Sequence, residues 1–217
     1  MTDELFPRGP VTVAPGAVHL PGWLDLAEQR ELVDACREWA RPPAGMVRHT
    51  TPGGGRMSVR MVSLGRHWAP YRYRRTLPDG EPVKPFPPVL GALAARGAAA
   101  AGFAVAERYD VALVNFYDAD AAMGLHRDSD ERSAAPVVSL SLGDACVFRF
   151  GNTERRGRPW TDVELRGGDL FVFGGPARLA YHGVPRIHPG TADPRGGLTS
   201  GRLNITIRVS GLGAGPG

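Results

Sequence analysis

Hydrophobic positions recur with two different periods along the chain, and the change of period divides it into two parts. Residues 26–40 carry apolar side chains at helical spacing, and they follow Asp25, which resembles a capping box together with Glu28; both features predict a helix. A second helix is predicted from Pro88 through Ala101, because proline is favoured at the first position of a helix. The first twenty residues follow neither period, and we expect them to be irregular.

After about residue 108, short β-rich runs replace the helical pattern, and Gly, Asp and Pro clusters separate them. One earlier strand is predicted over 57–64. The later runs cover 111–117, 137–142, 146–150, 162–165, 169–173 and 203–209. This spacing indicates an antiparallel sandwich or barrel and not alternating strands and helices. We therefore predict a mainly β protein with flanking helices.

The final β-run alternates strictly between polar and apolar side chains. Its polar face carries Arg202, Asn204, Thr206 and Arg208. Taken alone, the pattern favours an edge strand with one wet face. The alternative is a pocket for a dicarboxylate, because guanidinium groups bind carboxylates in a fork. Asn115 and Tyr117 share a face of an earlier run and would add neutral donors, although ordinary barrel lining explains them equally well.

Length and composition describe an ordinary globular chain of 217 residues, with 42% hydrophobic and 22% charged residues. No apolar run approaches the roughly 18 residues of a transmembrane helix, and the first residues lack the apolar core of a signal peptide. We therefore expect a cytoplasmic protein in which Cys36 and Cys146 stay reduced. No long amphipathic seam suggests self-association, so we expect a monomer.

Positive charge is concentrated in one part of the chain. Residues 39–78, called the basic segment below, contain eight arginines and no Asp or Glu. This segment therefore has a charge of +8, whereas the whole chain has a net charge of +4. Trp68, Tyr71 and Tyr73 lie among these arginines. Arginines bind phosphates and aromatic rings stack on bases, which makes this segment a candidate nucleic-acid surface. The plainer interpretation is a solvated face beside core aromatics.

Three residues form a candidate metal site. His126 and Asp128 are two positions apart, so an extended backbone would direct both side chains to one face. His182 follows a later β-run and would complete a set of two histidines and one carboxylate. Such a triad leaves coordination positions open on a non-haem Fe(II). Without His182, an acidic surface turn would be the better explanation.

These motifs, in this order, closely resemble the AlkB family of Fe(II)/2-oxoglutarate dioxygenases. The resemblance rests on Asn115-x-Tyr117, His126-x-Asp128-x-Asp130-Glu131, His182 and Arg202-x-Asn204-x-Thr206-x-Arg208, and it extends over about residues 45–209. It implies a double-stranded β-helix (jelly roll) under an N-terminal α/β nucleotide-recognition lid. We expect residues 1–107 to form the extension and lid, 108–210 the jelly-roll core, and 211–217 a Gly-rich tail, all within one integrated domain.

The resemblance also implies a role for each candidate residue. His126, Asp128 and His182 would bind iron and make up the catalytic centre. Arg202, Asn204 and Tyr117 would hold the distal carboxylate of 2-oxoglutarate, while Arg208 and Asn115 would hold its proximal end. The base would meet Asp130 and Trp68, with Glu131 nearby. The nucleic-acid backbone would meet Tyr71, Arg72, Tyr73 and Arg155, although Arg156 could replace Arg155.

The implied activity is oxidative dealkylation of bases such as 1-methyladenine and 3-methylcytosine in DNA, with single strands preferred and RNA as a further substrate. It would use Fe(II), 2-oxoglutarate and O₂, and would release formaldehyde, succinate and CO₂. The main alternative is an Fe(II)/2-oxoglutarate hydroxylase acting on a protein or a small metabolite. A non-enzymatic nucleic-acid-binding module and a zinc-binding or metal-free cupin-like protein are weaker alternatives.

Overall fold

Two packed β-sheets and two helices make up the fold. The computed structural model describes residues 8–50, 53–70 and 72–213. The helices are α1 (Leu26–Ala40) and α2 (Pro88–Ala100). The strands are β1 (Val11–Ala14), β2 (Ala17–Leu20), β3 (Arg60–Leu64), β4 (His67–Ala69), β5 (Arg72–Arg74), β6 (Val111–Tyr117), β7 (Met123–His126), β8 (Val137–Gly143), β9 (Ala145–Phe150), β10 (Thr161–Leu165), β11 (Leu170–Phe173), β12 (His182–His188) and β13 (Arg202–Arg208).

The sheet order defines a double-stranded β-helix. The larger sheet runs β1-β2-β11-β8-β13-β6-β3, the smaller one runs β10-β9-β12-β7, and β4 with β5 forms a separate hairpin. Aromatic rings of the two main sheets meet between them, for example Phe148 and Phe171 with centroids 4.8 Å apart. The predicted jelly roll is therefore confirmed.

The helices cover the outer face of the larger sheet. Leu32 and Val33 of α1, with Leu90 and Ala94 of α2, pack in one buried cluster with residues such as Ile205 of β13. The capping box predicted at Asp25 is present, since its carboxylate accepts from the Glu28 amide at 2.8 Å. None of the helices in the described ranges has the length and apolar character needed to cross a bilayer.

Strand β13 has the predicted alternation, but it is not an edge strand. It pairs with β6 on one side and β8 on the other. Leu203, Ile205 and Ile207 lie in the cluster beneath the helices. The polar face is therefore directed between the two sheets, where Arg202 and Arg208 are buried. Charged groups are seldom buried without partners, so this placement indicates a binding site.

The expectation that the first twenty residues are irregular was wrong for residues 11–20, whereas residues 1–7 lie outside the described part of the chain. β1 pairs with β2, and β2 pairs with β11 of the larger sheet. Pro15 and Gly16 separate two strands of four residues, and Gly16 takes the left-handed conformation (φ 79°) that the turn requires. Such short strands depend on their partner in the sheet more than on their own pattern.

Three further differences concern boundaries and missed strands. The strand predicted over 57–64 is regular only over Arg60–Leu64. The hairpin β4–β5 and the strands β7 and β12 were not predicted, although they carry or adjoin site residues. β1, β2 and β3 join the larger sheet although they precede residue 108, and the domain boundary drawn there stays a prediction.

Candidate functional site

The three proposed metal ligands lie together at one end of the smaller sheet. His126 ends β7, His182 begins β12, and the two residues pair directly across the strands. Nε2 of His126 lies 3.8 Å from Asp128 Oδ1, and Nε2 of His182 lies 3.7 Å from Asp128 Oδ2. Ligand atoms that share a metal at bonds of roughly 2 Å are separated by about 3–4 Å. The geometry therefore fits a single ion held by all three residues.

A glycine lets these two strands approach closely beside the ligands. A Cβ at Gly183 would lie 2.7 Å from the carbonyl oxygen of Met123 and 2.9 Å from that of Gly124. Either distance is a severe clash, so a side chain at this position would separate β12 from β7. Gly183 thus contributes to the position of His182 opposite His126.

Both histidines are oriented by main-chain carbonyls. The Nδ1 atom of His126 lies 3.0 Å from the Gly124 oxygen, and that of His182 lies 3.0 Å from the Ala180 oxygen. A carbonyl only accepts hydrogen bonds, so Nδ1 carries the proton and Nε2 offers its lone pair. Burial and the neighbouring His126 lower the pKa of His182 to about 4, which favours the neutral form that a metal requires.

Asp128 is buried and stays ionised because of Arg208. Burial alone would raise the pKa of Asp128, but Arg208 and the two imidazoles together lower it below its usual value. Nε and Nη2 of Arg208 lie 2.9 and 2.8 Å from Asp128 Oδ2. Burial opposes the charge on Arg208, whereas Asp128, Tyr73 and Glu131 raise the pKa of its guanidinium. The two charges stabilise each other inside the cavity.

A cavity of about 690 Å³ joins the triad to the polar face of β13. Its lining includes the five residues predicted to bind 2-oxoglutarate, namely Asn115, Tyr117, Arg202, Asn204 and Arg208. Nε of Arg202 and Oδ1 of Asn115 are buried without a hydrogen-bond partner among the described residues. Buried polar atoms of this kind are usually satisfied by a ligand or water. Within the described ranges, Arg202 Nε is a free donor beside the metal site and fits a carboxylate, whereas Asn115 Oδ1 is an acceptor that a water or a protonated group would satisfy.

Two serines of β8 belong to this polar network and were missed from the sequence. Ser141 Oγ accepts from Arg202 Nη2 at 2.9 Å, and Ser139 Oγ accepts from Asn204 Nδ2 at 2.7 Å. Asn204 Oδ1 accepts from Thr206 at 2.7 Å, so its amide is held by the strands around it. The alternation of Ser139 and Ser141 with apolar neighbours was the available signal.

Two hydrogen bonds connect the hairpin β4–β5 to the loop that follows Asp128. Trp68 Nε1 donates to Asp130 Oδ2 at 2.8 Å, and both residues line the cavity. Partial burial raises the pKa of Asp130, and the bond from Trp68 opposes this effect. Tyr73 donates its hydroxyl proton to Glu131 Oε1 at 2.7 Å and accepts from Arg208 at 3.2 Å. Its hydroxyl is therefore directed inward and not toward solvent.

The remaining predicted substrate residues lie in different settings. Arg72 is exposed on β5, whereas Tyr71 lies outside the described residues. Arg155 is exposed and folds back on its own loop, where Nε donates to the Arg158 carbonyl at 3.0 Å. Of the two arginines considered, Arg156 is the one that lines the cavity.

The jelly roll and the His-x-Asp…His triad define the class of Fe(II)/2-oxoglutarate oxygenases. Residues 16–208 match the 2OG-Fe(II) oxygenase superfamily, so the cofactor is Fe(II) and the cosubstrates are 2-oxoglutarate and O₂. An alpha-ketoglutarate-dependent dioxygenase AlkB homolog of Caulobacter vibrioides is 41% identical over an alignment of 210 positions, which covers 92% of this chain and 90% of that protein. The chain belongs to the AlkB family within this superfamily.

Two further relatives extend the comparison. The structure of OsALKBH1 superposes with a TM-score of 0.82 at 32% identity and covers 92% of this chain and 99% of that one. The DNA N(6)-methyladenine demethylase ALKBH1D of Arabidopsis thaliana is 31% identical over an alignment of 220 positions, which covers 90% of this chain and 50% of that protein. The likeness therefore covers about nine-tenths of the chain.

Proposed function

We propose that this dioxygenase removes alkyl groups oxidatively from base nitrogens in DNA, with 1-methyladenine and 3-methylcytosine as its type of substrate. The observation that carries the proposal is the Trp68–Asp130 pair, which lines the same cavity as the triad. Bases methylated at these positions are cationic. An indole face and a carboxylate both favour a cation. Such lesions also cannot pair normally, so they are easier to extrude from a helix than intact bases.

The protein side chains bind and orient the iron, 2-oxoglutarate and the base, and they supply the charges that hold these groups in place. In this proposal His126, Asp128 and His182 hold the iron, while Arg208 and Arg202 bind the two carboxylates of 2-oxoglutarate. When bound, the iron would supply oxidation of the N-methyl carbon with O₂, and that carbon would leave as formaldehyde. In the same reaction 2-oxoglutarate would be converted to succinate and CO₂. Asp130 and Trp68 hold the base so that its alkyl group is directed toward the triad.

The basic segment supplies affinity for the phosphate backbone. Arg56 lines the cavity, and Arg72 and Arg74 are exposed on β5. Arg48 and Arg60 pair with Asp118 at 2.9 and 3.0 Å, so we assign them a structural role. Neutralised phosphates release counterions, and binding through this surface should weaken as salt rises.

The test is repair of a short oligonucleotide that contains one 1-methyladenine. Mass spectrometry should record the loss of one CH₂ unit per lesion, with formaldehyde released only when Fe(II) and 2-oxoglutarate are present. The same sequence in single-stranded DNA, duplex DNA and RNA separates the nucleic-acid classes. Succinate production without any change in methylated oligonucleotides of all three kinds would overturn the proposal and favour a protein or metabolite substrate.

The preference for single strands, the monomeric state and a cytoplasmic location belong to the same proposal. The repair assay above measures whether the lesion is removed faster from a single strand or from a duplex. Light scattering of the purified chain measures its oligomeric state, and cell fractionation measures its location.

A further inference from the structure

Arg178 is a buried arginine with no predicted role, and it lies between the two chain segments that carry the metal ligands. It follows a short 3₁₀ turn (Gly175–Ala177) and precedes His182 by four residues. Only 7% of its surface is exposed. A buried guanidinium is stabilised only when its donors meet acceptors, so its partners indicate its role.

The guanidinium joins three points of the loop that follows β7. Nη1 donates to the main-chain oxygen of Asp128 at 2.6 Å, Nε donates to the oxygen of Ala135 at 2.9 Å, and Nη2 donates to Glu131 Oε2 at 3.0 Å. The Glu131 side chain is 1% exposed. These bonds hold the main chain of Asp128, whereas its carboxylate is contacted by Arg208 and not by Arg178.

The same arginine belongs to the turn that orients His182. The amide of Ala180 donates to the Ala177 oxygen at 2.9 Å, and the Ala180 oxygen in turn accepts from His182 Nδ1 at 3.0 Å. Arg178 therefore connects the turn that aims one ligand to the main chain that carries another. The two ligands are 54 residues apart in sequence, and the described part of the chain links them here through a single side chain.

We propose that Arg178 is a positioning residue for the metal centre, because its guanidinium fixes the Asp128 main chain against the turn that orients His182. Residues behind the ligands tune metal sites strongly, and their loss costs roughly 10- to 100-fold in metal affinity. A lysine offers one compact ammonium group and cannot reach three divergent acceptors. The inference rests on the metal site of the proposed function, and it does not depend on the choice of nucleic acid as substrate.

The experiment is an anaerobic titration of the protein with Mn(II), followed by electron paramagnetic resonance, without nucleic acid or turnover. We expect Arg178→Lys to raise the dissociation constant roughly 10- to 100-fold. Arg149→Lys is the matched control, because Arg149 holds the Asp162 carboxylate with two bonds of 2.7 and 2.8 Å on the protein surface. It should bind Mn(II) within about twofold of the original protein.

Thermal unfolding of each variant separates positioning from general stability. An Mn(II) affinity of Arg178→Lys within about twofold of the original, or an equal loss in Arg149→Lys, would overturn the proposal. Glu131→Gln is a second variant that removes the charge holding Arg178, and we expect it to weaken Mn(II) binding about three- to tenfold. If Arg178→Lys does not fold, Glu131→Gln provides the test, because an unchanged Mn(II) affinity in this variant would also contradict the inference. The Mn(II) affinity is measured without nucleic acid, so failure of oligonucleotide repair would not affect the inference about Arg178.

Discussion

Replacing Arg202 with methionine removes the guanidinium from the inner part of the cavity while keeping an unbranched side chain. Arg202 is 1% exposed, and its contacts are Ser141 Oγ at 2.9 Å and the Asp144 oxygen at 3.4 Å, while Nε has no partner among the described residues. One charged hydrogen bond contributes about 1.5–3 kcal/mol. A carboxylate held by a two-bond fork should therefore lose about 3–4 kcal/mol, or roughly 100- to 1,000-fold in affinity.

Calorimetric titration of 2-oxoglutarate into the anaerobic, Mn(II)-loaded protein measures this loss directly. The Michaelis constant for 2-oxoglutarate, followed by succinate release, should rise in parallel. Arg149→Met controls for the loss of an arginine elsewhere and should leave both quantities unchanged. A rise below about fivefold in a variant with an intact melting transition would refute the assignment of Arg202 to the cosubstrate.

Three further predictions address the base, the phosphates and the stability of the fold. Trp68→Ala should weaken binding of a methylated oligonucleotide by about 1–3 kcal/mol, measured by fluorescence anisotropy, and unchanged affinity would remove Trp68 from the base site. Affinity should fall steeply as salt rises from about 50 to 200 mM, and a flat response would exclude phosphate contacts by the basic segment. Asp169→Asn should lower the free energy of unfolding at neutral pH by about 3 kcal/mol, because the buried Asp169 carboxylate accepts from His19 and two main-chain amides. Burial opposes the charge, but these bonds lower the pKa of Asp169, so its contribution is present above the usual value of about 3.9 and is lost as pH falls through the lowered one. Chemical denaturation at several pH values measures this, and a difference that persists in strong acid would contradict it.

The strand β13 illustrates what the sequence predicts well. Its alternation separates Arg202 and Arg208 from Leu203 and Ile205 without any knowledge of its neighbours, and the structure has the same two faces. The sequence could not decide whether the polar face was wet or enclosed. That depends on pairing with β6 and β8, which lie far away along the chain.

The metal site was predictable for a different reason. His126 and Asp128 are close in sequence, but nothing in local spacing connects them to His182. His182 was chosen because it follows a later β-run and completes a two-histidine, one-carboxylate set; the family resemblance supported that choice, and the register that pairs His126 with His182 explains it physically. Residue types and their order were therefore sufficient for the candidate ligands, whereas their distances required the fold.

The parts that the sequence did not predict depend on contacts with the main chain or on short strands. Arg178 binds carbonyl oxygens of Asp128 and Ala135, and carbonyls leave no trace in a sequence pattern. The inward direction of the Tyr73 hydroxyl depends on Glu131, which comes from a distant loop. β1 and β2 are regular because β2 pairs with β11, so their own residues carried too weak a signal.

The central claim is that two imidazoles and one carboxylate hold a single catalytic iron. Anaerobic titration of the purified chain with Fe(II), combined with formaldehyde release from the 1-methyladenine oligonucleotide, tests it most directly. We predict one equivalent of iron per chain, and loss of both tight binding and formaldehyde release in folded His126→Ala, Asp128→Ala and His182→Ala variants. A folded Asp128→Ala protein that binds iron with undiminished affinity and still repairs the oligonucleotide would contradict the account.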